Sequence, residues 1–106
     1  MSISSHVLDA TTGRPASGMR VELSRAAPDG TWVELGSAMT DRDGRVGAFE
    51  GAEAAGVYRL TFAVRGYFAA TFYPEVIVTF VVADAHEHLH VPLLLSPYAY
   101  STYRGS

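Results

Sequence analysis

The feature that most constrains this chain is a hydrophobic period of two, repeated between closely spaced turns. Met19, Val21 and Leu23 alternate with Arg20, Glu22 and Ser24, which is the pattern of a strand with one dry and one wet face. Tyr58, Leu60, Phe62 and Val64 alternate with Val57, Arg59, Thr61 and Ala63 in the same way. The run Val76-Ile77-Val78-Thr79-Phe80-Val81-Val82 is apolar on both faces. Such a strand should be covered on both sides, by a second sheet or by another subunit.

Turn residues punctuate these runs. Pro28-Asp29-Gly30 separates the strand around Val21 from Trp32-Val33-Glu34-Leu35 and reads as a hairpin turn. Asp41-Arg42-Asp43-Gly44 precedes Arg45-Val46, and Thr12-Gly13-Arg14-Pro15 closes a first strand over residues 3–8. Residues 88–96 and 99–104 flank Pro97 as the last two strands. The count is about eight short strands, which predicts an all-β, two-sheet β-sandwich. Helix signals are weak: residues 50–55 are too short to stand alone. Residues 66–73 are aromatic and Ala-containing, and Pro74 limits them to one or two turns, so one short helix is expected.

Size and composition narrow the function classes. A chain of 106 residues, 48% hydrophobic and 18% charged, should fold as one domain over 1–106. Its net charge is −3 and its arginines are scattered, so no basic stripe tracks a nucleic-acid backbone. No cysteine is present, which removes disulfides, thiolate zinc sites and a cysteine nucleophile together. The first residues form neither a basic n-region nor an apolar h-region, so no signal peptide is expected. The longest apolar run is far short of the roughly 20 residues of a membrane helix. These readings together predict a soluble, cytoplasmic protein with no membrane partner.

His86-Glu87-His88-Leu89-His90 matches H-E-x-x-H literally. That motif needs a helix to stack its histidines one turn apart, and Pro92 with β-rich neighbours argues against one. On a strand, His86, His88 and His90 would share a face, and an H-x-H pair can chelate zinc, but the ligand set is incomplete. The plainer reading puts His86 and Glu87 in a solvated loop and starts the strand at His88. His6 lies on the first strand with Ser4 and Leu8 on its own face; alone, it reads as a structural or exposed histidine. Arg45, after the Asp43-Gly44 turn, reads alone as a surface charge. The tail Tyr98-Ala99-Tyr100-Ser101-Thr102-Tyr103 is an aromatic edge strand, a liability unless another chain covers it, so an oligomer is expected.

Taken together, these residues resemble a known family, the 5-hydroxyisourate hydrolases, transthyretin-related enzymes of purine breakdown. The likeness runs from Ser5-His6-Val7-Leu8-Asp9 through Thr12-Gly13-Arg14-Pro15-Ala16, Thr40-Asp41-Arg42-Asp43-Gly44-Arg45 and Phe72-Tyr73-Pro74-Glu75-Val76. It is most specific at His88-Leu89-His90-Val91-Pro92-Leu93-Leu94-Leu95-Ser96-Pro97-Tyr98 and Tyr100-Ser101-Thr102-Tyr103-Arg104-Gly105-Ser106. One departure is Leu89, where many relatives carry Tyr; on a strand it faces away from His88 and His90.

The resemblance implies an eight-stranded transthyretin-like (prealbumin-like) sandwich that dimerises edge to edge and forms a homotetramer, a dimer of dimers with active sites between the dimers. It implies His6, Arg45 and His90 as catalytic residues, and Tyr103, Arg104, Gly105 and Ser106 as substrate-binding residues that close the site. The implied reaction opens the ring of 5-hydroxyisourate to give 2-oxo-4-hydroxy-4-carboxy-5-ureidoimidazoline in urate degradation. His90 or His6 would activate water, and Arg45 would hold polarised oxygens. Ser106 would offer a hydroxyl and a free carboxylate. The scheme requires no metal and no organic cofactor. The competing reading is the hormone carrier transthyretin, which shares the fold and differs at the two histidine positions and the tail.

Overall fold

The computed structural model describes residues 2–49 and 54–106. Nine strands follow in order: β1 (Ser2–Asp9), β2 (Arg14–Pro15), β3 (Arg20–Ala26), β4 (Trp32–Met39), β5 (Arg45–Phe49), β6 (Gly56–Phe62), β7 (Val76–Val82), β8 (His88–Ser96) and β9 (Ala99–Thr102). They form two sheets. One runs β2-β1-β8-β9, with β5 sharing the outer edge of β1, and the other runs β4-β3-β6-β7. All pairings are antiparallel except β1 with β8, which run parallel.

The core lies where the period-two pattern predicts. Val21, Leu23, Tyr58, Leu60 and Phe62 from one sheet meet Ile3, Val7, Leu89, Val91, Leu93 and Leu95 from the other, all buried. Each such side chain contributes about 1.5–3 kcal/mol when removed from water. Tyr58 keeps its hydroxyl satisfied by donating to the Ala54 carbonyl (2.6 Å), as a buried phenol must.

The eight expected strands are all present, and the ninth, β2, is a two-residue pairing of Arg14 and Pro15 with β1. The strand expected over 32–35 extends to Met39, with a register shift between Leu23 and Ser24 of its partner. The last strand ends at Thr102 and not at Arg104; beyond it only an isolated bridge, His90 with Gly105, holds the tail.

The expected short helix is a correction. Among the described residues there is none: residues 65–67 make a single turn, closed by the Tyr67 and Phe68 N–H groups on the Val64 carbonyl (both 2.9 Å). The Tyr67 hydroxyl donates to buried Asp9 (2.9 Å), tying this turn to the end of β1. Irregular, bent chain follows to Pro74, where Thr71 and the Phe72 N–H bond the Pro97 carbonyl instead of a helical partner. The Ala/Glu-rich stretch at 50–55 lies mostly outside the described residues.

Among the described residues, β7 and β9 are edge strands with no further strand paired outside them. On β7, Val76 and Val82 are buried while Ile77 and Val81 are exposed, and beside β9 Tyr98, Tyr100 and Tyr103 are exposed. The second face of β7, expected to be covered, finds no cover among the described residues. No helix among the described residues is long and apolar enough to cross a membrane.

Candidate active site

The parallel pairing of β1 with β8 sets Ser2 opposite His88, Ser4 opposite His90 and His6 opposite Pro92. On its other edge β1 meets β5 antiparallel, which sets Arg45 opposite His6. Side chains alternate along a strand. Ile3, Ser5 and Val7 therefore turn to the core with Leu89 and Val91, and Ser4, His6, His88 and His90 share the outer face. Residues from both ends of the sequence are thus neighbours on one sheet.

The loop before Arg45 is built to hold that position. Asp41 accepts hydrogen bonds from the N–H groups of Asp43 (2.8 Å) and Arg45 (2.9 Å). The Arg45 N–H bond is the main reason its carboxyl sits below the usual aspartate range; the Asp43 N–H and the charges of Arg45 and His6 add to it. Gly44 turns the chain with φ of 74°. A Cβ there would collide with the Val7 carbonyl oxygen, so glycine is required by both conformation and space. The Val7 N–H then donates to the Gly44 carbonyl (2.8 Å), and His6 Nε2 bonds the Asp43 carbonyl (2.9 Å). Since a carbonyl only accepts, His6 carries its proton on Nε2 and leaves Nδ1 as its free nitrogen in the neutral ring.

His90 is held from two sides. Its Nδ1 lies 2.8 Å from the Ser4 hydroxyl. Its carbonyl accepts from the Gly105 N–H (2.8 Å), which brings the tail backbone across its ring. A Cβ on Gly105 would lie 2.6 Å from His90 Cδ2, so this approach is open only to glycine. Thr102 Oγ1, donating to the Pro92 carbonyl (2.7 Å), anchors the tail one step earlier. Burial, and then the charges of Arg45, His6 and His88, push the His90 imidazole below its ordinary pKa. The shift favours its neutral form, which is able to accept a proton.

Ser4, Ser5, Arg45, Val46, Gly47, His88, His90 and Ser106 enclose a half-open cleft of about 240 Å³. Tyr103 and Arg104 do not line it. They line a neighbouring, more apolar hollow of about 280 Å³ with Val78, Phe80, Leu89 and Val91, and Arg104 pairs with Glu87 across 3.3 Å. Of the expected site residues, Arg45, His90 and Ser106 meet in the cleft, with His6 beside Arg45 and Gly105 against the His90 ring. The cleft also holds two residues that sequence reasoning did not single out for the site, Ser4 and His88. Ser4 was visible as a neighbour of His6 on one strand face, but its contact with His90 depends on the parallel register. His86 sits in the turn before β8, its N–H on Asp84 (2.9 Å), so the H-E-x-x-H string does not lie on a helix.

The two-sheet sandwich is of the transthyretin-like class, shared by a solved hydrolase and by transthyretin itself. The sequence profile of the HIUase/Transthyretin family matches residues 3–105, and the chain belongs to this family. It is 47% identical over 110 residues to the 5-hydroxyisourate hydrolase of Salmonella dublin, covering 98% of this chain and 80% of that one. The structure of the Klebsiella pneumoniae 5-hydroxyisourate hydrolase superposes with a TM-score of 0.87 at 36% identity, over the full length of both chains. Sea bream transthyretin, solved in complex with thyroxine, superposes with a TM-score of 0.91 at 30% identity, over 97% of this chain and 93% of that one.

Proposed function

We propose that this chain is a 5-hydroxyisourate hydrolase whose reaction is carried by His90, His6 and Arg45. The observation that carries the reading is the meeting of His90, Arg45 and Ser106 in one cleft, with His6 held opposite Arg45. A neutral imidazole beside a guanidinium supplies a proton acceptor and a cation within one small space. At about 240 Å³ the cleft is smaller than the roughly 300–1,000 Å³ of drug-sized sites, which suits a compact fused-ring substrate. The curated relative and the solved hydrolase support the same activity.

Hydrolysis adds water across a ring C–N bond. His90, neutral, takes a proton from water as the oxygen attacks the carbonyl carbon. Arg45 offers its planar donors to the carbonyl oxygen as negative charge gathers there. The C–N bond then breaks, and the leaving nitrogen takes the proton held by His90, while His6, its Nε2 proton on the Asp43 carbonyl, orients water or substrate through Nδ1. Gly105 and Ser106 fix the tail over His90, while Tyr103 and Arg104 would reach the substrate only from the adjoining hollow. The residues named supply every step without a metal or organic cofactor.

The open edges of β7 and β9, with Ile77, Val81, Tyr98 and Tyr100 exposed, support a homotetramer in which edge-paired dimers stack and share the cleft region. Light scattering on the purified protein should return four chains, and a monomer at working concentration would refute this. The activity is tested by generating 5-hydroxyisourate from urate with urate oxidase and following its decay and the optical activity of the product. The chain should accelerate decay and give one enantiomer. His90→Ala should slow turnover by about 100-fold or more. A folded parent chain that leaves the decay unchanged sinks the hydrolase reading; tight binding of an iodinated aromatic ligand would then favour a carrier.

A further inference from the structure

We propose that Ser4 and His88 complete this site as a hydroxyl-bridged imidazole relay. In it, Ser4 is a positioning residue that holds His90 with Nδ1–H on its own oxygen and Nε2 open to the cleft, and a proton is lent through His88 and recovered within each turnover. The inference rests on the hydrolase reading and adds two residues to it.

Three contacts carry it. The Ser4 hydroxyl lies 2.8 Å from His90 Nδ1 and 3.1 Å from His88 Nε2, and the Ser2 hydroxyl lies 2.5 Å from His88 Nδ1. A serine hydroxyl has one proton and two lone pairs. Ser4 can therefore donate to only one of its two imidazoles and must accept from the other. The two rings cannot choose tautomers independently, and two arrangements satisfy every group. In one, His90 Nδ1–H donates to Ser4, Ser4 donates to His88 Nε2, and His88 Nδ1–H donates to Ser2. In the other every donor and acceptor is exchanged, and His90 carries its proton on Nε2.

Only the first arrangement makes His90 a base toward the cleft. When its Nε2 takes a proton from water, the Nδ1 proton moves to Ser4 Oγ, the original Ser4 proton moves to His88 Nε2, and the His88 Nδ1 proton passes to Ser2 and solvent. Each intermediate atom gains one proton and loses one, and hydroxide is left to attack the carbonyl; when the leaving nitrogen takes the Nε2 proton of His90, the same transfers run in reverse and restore the first arrangement. Opening a cyclic amide to a carboxylic acid, which ionises far below pH 7, releases its one net proton from the product, so the relay lends and recovers a proton within each turnover. Ser4 is buried, at 7% exposure, and His88 is exposed; all three residues line the cleft, and the relay leads from half-buried His90 to its exposed wall. The groups that face His90 are Ser4 and His6 from β1, Arg45 from β5, His88 from its own strand and Ser106 from the tail. Glu87 and Arg104 lie toward the adjoining hollow.

The test uses the full chain, in-situ 5-hydroxyisourate and ¹⁵N-labelled imidazoles. Ser4→Ala should lower kcat by roughly 10- to 100-fold, the scale on which partners that orient a metal-bound imidazole act, with KM within about twofold. The acidic limb of the rate profile should move to lower pH, because the imidazolium loses an acceptor at Nδ1. Ser4→Thr should restore most of the rate. NMR should find His90 protonated on Nδ1 in the parent and mixed between nitrogens in Ser4→Ala. A Ser4→Ala rate within about twofold of the parent, a limb that stays or moves to higher pH, or a parental His90 protonated on Nε2 would each overturn the proposal. If Ser4→Ala fails to fold, His88→Ala decides, since a parental rate there refutes the relay. An inactive parent chain would refute the hydrolase reading alone, and the NMR tautomer would still judge the Ser4–His90 pairing.

Discussion

Gly105→Ala isolates the contribution of the tail to the geometry of His90. A Cβ at this position would lie 2.6 Å from His90 Cδ2 and 3.2 Å from both the His90 carbonyl oxygen and Pro92 Cγ. Carbon atoms settle at about 3.5–4.0 Å, so tail and ring must separate by about 1 Å. The ring resists through its Ser4 bond (2.8 Å), and the tail resists through the Gly105 N–H (2.8 Å) and Thr102 (2.7 Å). If the tail yields, it loses one backbone hydrogen bond, a net cost of about 1 kcal/mol, and Tm falls by about 4–8 °C for a domain of this size. If the ring yields, its reactive nitrogen shifts by a comparable distance, which costs about 100-fold in rate. The expected result is a modest thermal shift with a kcat/KM loss of about 100-fold, read by calorimetry and by the decay of in-situ 5-hydroxyisourate. A variant within about threefold of the parent in kcat/KM would show that the tail does not locate the ring.

The acidic limb of the rate profile should lie below the ordinary imidazole pKa of about 6.5, because burial and then Arg45, His6 and His88 hold His90 down. Arg45→Gln removes one of these causes, so its limb should move to higher pH while the plateau falls; an unmoved limb would separate Arg45 from His90. The same shift is linked to stability. His90 titrates lower in the folded than in the unfolded chain, so its contribution is present above the unfolded pKa and is lost as pH falls through the folded value, a loss that His90→Gln should abolish in melts between pH 7 and 5. Gly44→Ala places a Cβ against the Val7 carbonyl at φ of 74°. It should cost about 1–3 kcal/mol in denaturant unfolding, and an unchanged midpoint would show that the loop can relax.

The backbone cannot decide between hydrolase and carrier. The superposition on sea bream transthyretin scores 0.91 and that on the Klebsiella hydrolase 0.87, so the scaffold favours neither activity. What distinguishes them has to be side-chain chemistry on the outer face of the β1–β8 sheet. There His90 is paired with a serine, His6 with a carbonyl, and Arg45 with a turn whose glycine admits no other residue. A surface that only bound an apolar ring would need neither a neutral imidazole nor a cation at that spot.

How far the sequence could be read depended on the range of the interactions concerned. Alternation along residues 19–24 and 57–64 is a property of each strand alone, and it predicted β3, β6 and their buried faces directly. The turns at 28–30 and 41–44 were equally local, since Asp and Gly at fixed offsets dictate the backbone. The helix expected near residues 66–73 failed because the groups that would close its turns bond the distant Pro97 carbonyl, which no local pattern records. The site divides the same way. His6, Arg45, His90 and the tail entered as candidates through the family likeness, which carries residue identities but no register. Ser4 and His88 needed the register: a parallel pairing between the two ends of the chain places a hydroxyl between two imidazoles. A slip of one residue in that pairing would turn Ser5 to the outer face in place of Ser4. The Ser5 hydroxyl instead bonds the Val91 carbonyl on the buried side (2.7 Å), a bond that opposes the slip and so helps keep Ser4 beside His90.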